Sequence, residues 1–365
     1  MELFWLEHKK LWRKKIVKIC VLLCFVYCVI FGSILSFQWF CFGSSDDYTS
    51  AFGNNFDGYT VIKDSQEYAL SFGGELTDET LQQIVSDYQQ MEADGMEEEL
   101  EKTDWQIVNS WLGTLYPELR DTSNYKTMIS YVDPDKLTGF YERRQQVLDE
   151  FLEVSGQVGA EKEYLHQIDG KVEKPFHYEW VEGWSTLLGS MVADLGVVMA
   201  LFLGIVLSSL FAGEWHDNTS TLVLTTRNGW GKIALAKILT GLAFTVELFA
   251  LLAVSSVISQ LFFMGTAGWD MPIQNIKLIA VAPMNMLQAE IYEYAFVLLG
   301  AIGFAGIVMF ISAAVKNNVL TLLLSLAVVY GPMMIVEYLP YEMQKALDLI
   351  CLLYTSPSPR DGATS

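Results

Sequence analysis

The chain has 365 residues, is 52% hydrophobic and carries a formal net charge of −20. Residues 42–183 hold 30 acidic and 10 basic residues, whereas the remainder holds 13 of each, so the acidity belongs to one segment. That segment would repel nucleic-acid phosphates and no basic patch for them appears in it, so nucleic acid is not expected as a partner.

Residues 1–15 form a basic amphipathic N-terminus. Lys9, Lys10, Arg13, Lys14 and Lys15 lie among Phe4, Trp5, Leu6, Leu11 and Trp12, a composition suited to the headgroup region of membrane lipid. The apolar run at 16–42 is too long for a signal-peptide core and reads as the first span. Cys20, Cys24 and Cys28 recur on one face of it and read as small apolar residues rather than a metal site.

Residues 43–183 read as an inserted, acidic, mainly helical α+β domain that folds by itself. Thr77 and Asp78 cap a helix carrying Leu81, Ile84, Val85, Tyr88 and Met91. Asp133-Pro134 is expected to start a second helix, striped by Leu137, Phe140, Arg144, Leu148 and Leu152. Short strands are expected at 59–62 and 68–72, and Trp105, Trp111, Tyr116, Trp180 and Trp184 supply an aromatic core. The acidic run Glu97-Glu98-Glu99 reads as a solvated helix face. No cysteine falls in this domain, so no disulfide framework is expected there.

The second span is expected at 186–211, with Gly196, Ala200, Gly204, Ser208 and Ala212 forming a small-residue stripe for close helix approach. A loop at 212–232 follows, then a third span at 233–264. This span contains Glu247, whose insertion cost of about 2.5–3.5 kcal/mol is outweighed by a dozen apolar residues. Asp194 and Glu247 admit two readings, a substrate path or pairing with a neighbouring helix. An outer loop at 265–288 precedes a fourth span at 289–315, in which Gly300, Gly303 and Gly306 are expected to pack closely. The fifth span, 319–336, carries Gly331-Pro332 and an expected kink.

Residues 337–350 read as an outer amphipathic stretch. Residues 351–365 begin Cys-Leu-Leu-Tyr-Thr-Ser-Pro-Ser-Pro-Arg-Asp, which reads as a translated sequencing adapter rather than natural protein. A sixth span is therefore expected to follow residue 350 in the native gene. Lys9, Lys10, Arg13, Lys14, Lys15, Arg227, Lys232, Lys237 and Lys316 gather at one set of span ends, whereas Lys277 is the sole basic residue of the 265–288 loop. The N-terminus is thus expected in the cytoplasm and residues 43–183 outside it, in a multi-pass protein of the cell membrane.

No G-x-x-x-x-G-K-[ST], H-E-x-x-H or G-x-S-x-G occurs, so no catalytic residue or metal site is assigned and the chain does not read as an enzyme. The informative stretch is residues 211–237, FAGEWHDNTSTLVLTTRNGWGKIALAK. Leu222 and Leu224 alternate there with threonine and serine, as in an amphipathic segment made to dock into a partner's groove. Phe211, Ala212, Glu214, Thr219, Leu222, Leu224, Thr226, Lys232 and Lys237 resemble the loop between the second and third helices of ABC-2 type transporter permeases. Asn218, Arg227 and Trp230 depart from that pattern.

The resemblance implies an all-α polytopic permease subunit, driven by a separate ABC ATPase that binds ATP and Mg²⁺, and paired with a second permease subunit as homo- or heterodimer. It implies that Glu214, Thr219, Leu222, Leu224, Thr226, Arg227 and Lys232 couple to that ATPase. The expected function is export of a peptide, antibiotic or lipid-like substrate in a bacterium. The alternative is a membrane sensor or assembly protein whose acidic outer domain binds a ligand or partner.

Overall fold

A computed structural model describes residues 2–34, 36–37, 62–63, 65–67, 73–95, 105–121, 127–216 and 229–335. Its helices are α1 (Glu2–Arg13), α2 (Lys15–Tyr27), α3 (Asp78–Ala93), α4 (Trp105–Leu115), α5 (Phe140–Val154), α6 (Ala160–Asp169), α7 (Glu182–Thr186), α8 (Val192–His216), α9 (Gly229–Met264), α10 (Met286–Val315) and α11 (Asn318–Ile335). Two short strands, β1 (Gly74–Glu75) and β2 (His177–Tyr178), pair antiparallel, with Gly74 opposite Tyr178. The chain divides into two compact units. The span unit takes Met1–Ser33, Leu187–Gln260 and Ile291–Pro357; the inserted unit takes Ile34–Thr186, Leu261–Glu290 and Ser358–Ser365.

Among the described residues four helical stretches are long and apolar enough to cross a membrane: Lys15–Ile34, Asp194–Trp215, Gly231–Met264 and Met286–Val315. The expected fifth span, 319–336, falls on α11, whose apolar stretch is Asn318–Gly331 among the described residues. The helix itself runs on through Pro332 to Ile335. Around the expected second span, 186–211, the chain forms α7, a π-helical turn at Leu187–Met191 and then α8, within which Asp194–Trp215 is the candidate span. In the first span α2 likewise passes into a π-helical stretch, Cys28–Ile34.

In the span unit the small-residue stripe of α8 does what its spacing predicts. Gly196, Ala200, Gly204, Ser208 and Ala212 are all buried, and a methyl group added at Gly204 would come within 3.3 Å of Leu322 on α11. Cys20, Cys24 and Cys28 are buried and free, part of the same apolar core as Leu195, Leu203 and Phe304. On α10 the expectation holds only in part. Gly300 is buried, as are the neighbouring Ala301 and Ala305, but Gly303 and Gly306 face open space.

The inserted unit corrects three expectations. Its second long helix starts at Phe140, not at residue 134, because Pro134–Lys136 makes a single 3-10 turn and Gly139 adopts a left-handed conformation with φ +73°. The Asp78 carboxylate then caps α5 from a distant part of the chain, accepting from the Gly139 amide at 2.7 Å and the Phe140 amide at 2.9 Å. Ile62 is helical rather than extended, and residues 59–61 and 68–72 lie outside the described ones. Lastly, the 265–288 segment is no separate loop. Met264 and Leu278 belong to the core of Trp111, Tyr116, Phe140 and Tyr178. Trp111 Nε1 donates to the Asn275 carbonyl at 2.9 Å, and Asn275 Nδ2 donates to the His177 carbonyl at 2.9 Å.

Arg144 fixes this segment most firmly. Wholly buried, it donates to both oxygens of Asp169 at 2.6 and 3.1 Å, to the Leu278 carbonyl at 2.8 Å and to the Ala280 carbonyl at 3.0 Å. The planar fork of arginine suits such bidentate pairing. Burial pushes the Asp169 carboxyl up, but the Arg144 hydrogen bonds and charge, with Lys174 at 3.4 Å, prevail and hold it below its ordinary value.

Candidate functional site

The segment singled out by sequence joins α8 to α9, and its middle, including Thr219, Leu222, Leu224, Thr226 and Arg227, lies outside the described residues. Its two helical ends are described, and they meet. Lys237 on α9 is only 2% exposed. Its ammonium pairs with Glu214 on α8 at 2.7 Å, donates to the Leu210 carbonyl at 2.7 Å and sits 5.4 Å from the centre of the Phe211 ring. A buried lysine without such partners would cost several kcal/mol. Here nearly every donor direction is used.

Helix α1 completes the cluster. Helical spacing puts Phe4, Glu7, His8, Leu11 and Trp12 on one face, and Leu11 is fully buried. Glu7 lies 4.0 Å from the Lys237 ammonium, while Lys10 lies 3.6 Å from Glu214 and 3.9 Å from Glu7. Two acids and two bases therefore alternate, and the cluster is neutral. A turn further along, the α1 face engages α9 again: Trp12 Nε1 donates to Glu247 at 3.0 Å and His8 Nε2 lies 3.1 Å from the other carboxylate oxygen.

The end of α8 is also held from α10. The Ser312 hydroxyl donates to the Ser208 carbonyl at 2.7 Å and accepts from the Phe211 and Ala212 amides at 3.2 and 3.0 Å. That uses the full capacity of one hydroxyl. Lys14 Nζ donates to Ser209 Oγ at 2.9 Å, and Lys316, in a left-handed turn at φ 60°, places its ammonium 4.1 Å above the Trp215 ring.

Of the residues chosen from sequence, Glu214 sits in the cluster. Lys232 lies exposed in the first turn of α9 with no ion pair among the described residues. Glu247 is engaged by α1, whereas Asp194 is exposed at the start of its span and makes no hydrogen bond or ion pair among the described residues. The two acids share no partner. Sequence reasoning did not foresee Glu7 and Lys10 in the cluster, nor Ser312 at the end of α8. The available signal was Lys237 itself: a lysine flanked by Ala234, Leu235, Ala236, Ile238 and Leu239 has to find a carboxylate if that face is buried.

Four spans define the class, a helical multi-pass membrane protein. Compared with known proteins, the chain matches no family model, no curated protein and no solved structure. Among the described residues no group of three or more His, Cys, Asp or Glu is placed to hold a metal ion.

Proposed function

We propose that this chain is the membrane subunit of an ATP-driven exporter, of the ABC-2 type that its 211–237 segment resembles. One observation carries the reading. Glu214 and Lys237, both positions of the resemblance, close on each other at 2.7 Å and pinch the base of the connection between α8 and α9. A separate ATPase, which supplies ATP and Mg²⁺ binding, docks on that connection through Leu222 and Leu224. Movement imposed there passes to α8 and α9 together, because Lys237 and Ser312 leave the end of α8 little freedom of its own. The span set rocks against a second permease subunit and moves a peptide, antibiotic or lipid-like substrate. The basic residues at the α8–α9 side support a cytoplasmic location for that side and the N-terminus, with residues 43–183 outside.

The test is substrate-stimulated ATP hydrolysis by the permease purified with its ATPase. Leu222→Asp places a desolvated charge in the docking groove and is expected to weaken the contact by about two to three decades. Glu214→Ala leaves the Lys237 charge half-satisfied and is expected to uncouple hydrolysis from transport while the protein still inserts. Undiminished stimulation in both variants overturns the reading.

A further inference from the structure

Helix α1 has a second face that the cluster does not use. Trp5 and Leu6 are 62% and 64% exposed, and Lys9 and Arg13 continue the same stripe at helical spacing. The chain breaks at Lys14, in extended backbone, and the first span begins at once with Lys15. Lys15 and Lys18 are exposed beside Ile16 and Ile19, which are also exposed at the start of that span. The side chains of Lys9, Arg13, Lys15 and Lys18 make no ion pair with any described residue, whereas Lys10, on the flank, is drawn into the cluster with Glu7 and Glu214.

From this arrangement we infer that the outer face of α1 is a binding surface for anionic lipid headgroups. Trp5 and Leu6 seat at the acyl boundary, and Lys9, Arg13, Lys15 and Lys18 reach the phosphates. Three facts favour a lipid leaflet over a protein partner. The face adjoins a span whose exposed residues beyond Lys18 are all apolar, so it sits at the membrane boundary by connectivity. It sets a large aromatic ring and an aliphatic side chain next to unpaired cations, the composition of an interfacial helix. Among its exposed residues, Glu2 is the one acid. The docked face supports the same geometry: the contacts of Trp12 and His8 with Glu247, and of Lys10 with Glu214, fix which side of α1 turns outward. This inference rests on the span and the exposed face, not on the transport reading.

The experiment is hydrogen–deuterium exchange of the 2–13 segment in the full chain, reconstituted into nanodiscs of phosphatidylcholine alone or phosphatidylcholine with phosphatidylglycerol. Anionic lipid is expected to slow exchange by about fivefold for each engaged cation, the factor carried by about 1 kcal/mol per basic residue at an anionic surface. High salt should reverse the slowing. The variant Lys9→Gln/Arg13→Gln/Lys15→Gln/Lys18→Gln should lose it while keeping the Trp12–Glu247 contact. If that variant fails to insert, the salt titration of the unaltered chain decides. Exchange that ignores phosphatidylglycerol overturns the inference. So does protection that appears only when a protein partner is added.

Discussion

Among the described residues each unit buries one long cationic side chain, and the two are satisfied in different ways. In the inserted unit Arg144 holds a single carboxylate by two parallel bonds and two backbone carbonyls by two more. In the span unit Lys237 has one carbonyl, one close carboxylate and a second acid at 4.0 Å, and it shares both acids with Lys10. A fixed fork with fixed partners makes a lock. A compact ammonium among exchangeable charges makes a joint that can redistribute its partners as the surrounding helices shift. The inserted unit is tied shut by its buried charge, while the span unit is tied through a group able to yield.

Breaking the lock should produce the largest effect. Arg144→Ala leaves Asp169 buried without its main partner and is expected to cost about 3–5 kcal/mol. It should be read as a lower unfolding temperature of the full chain by tryptophan fluorescence. The double variant Arg144→Met/Asp169→Leu should recover part of that loss, because no lone charge remains. It should not recover all of it, since the Leu278 carbonyl loses the Arg144 donor and the Ala280 carbonyl keeps only Gln274 Nε2.

The joint should be more forgiving. Lys237→Met removes the central cation, but Glu214 keeps Lys10 at 3.6 Å, so a smaller loss of about 1–3 kcal/mol is expected. Faster hydrogen exchange confined to the ends of α8 and α9 would mark it. A loss equal to that of Arg144→Ala would mean that Lys237 is a lock as well.

Acid provides a more gradual probe. Asp169 has a depressed pKa in the folded state, so it lends stability above its unfolded value and loses that contribution as pH falls through the folded one. The inserted unit should therefore weaken below about pH 4, and Asp169→Asn should remove that acid limb along with part of the stability at neutral pH. Circular dichroism across an acid titration reads both.

The smallest effect is expected from Ser312→Ala, which removes the hydroxyl that serves Ser208, Phe211 and Ala212. The two amides lie within a helix and can return to carbonyls of the preceding turn, so the cost should be about 0.5–1.5 kcal/mol. Exchange rates of the Phe211 and Ala212 amides would report it directly.

Hydropathy gave five spans, four of which are long and apolar enough to cross among the described residues, because a lipid core demands about 20 apolar residues with internally satisfied backbone. The buried stripe on α8 was equally legible: small residues every four positions have one use in a packed helix pair. The Thr77 cap was local and correctly anticipated, its Oγ1 accepting from the Thr80 amide at 3.2 Å. The start of α5 was misread because its cap, Asp78, comes from another helix, and no local pattern reports a group that arrives through space.

The same reason governs the site. Residues 211–237 announced themselves through composition and resemblance, but Glu214 and Lys237 find Lys10 and Glu7, and the end of α8 finds Ser312, all far along the chain. The assignment of 261–290 to the inserted unit was hidden too, since Leu278 and Asn275 show their role only against Arg144 and Trp111. Periodicity encodes which face of an element is buried. Which distant charge or carbonyl meets that face is decided only when the chain closes on itself.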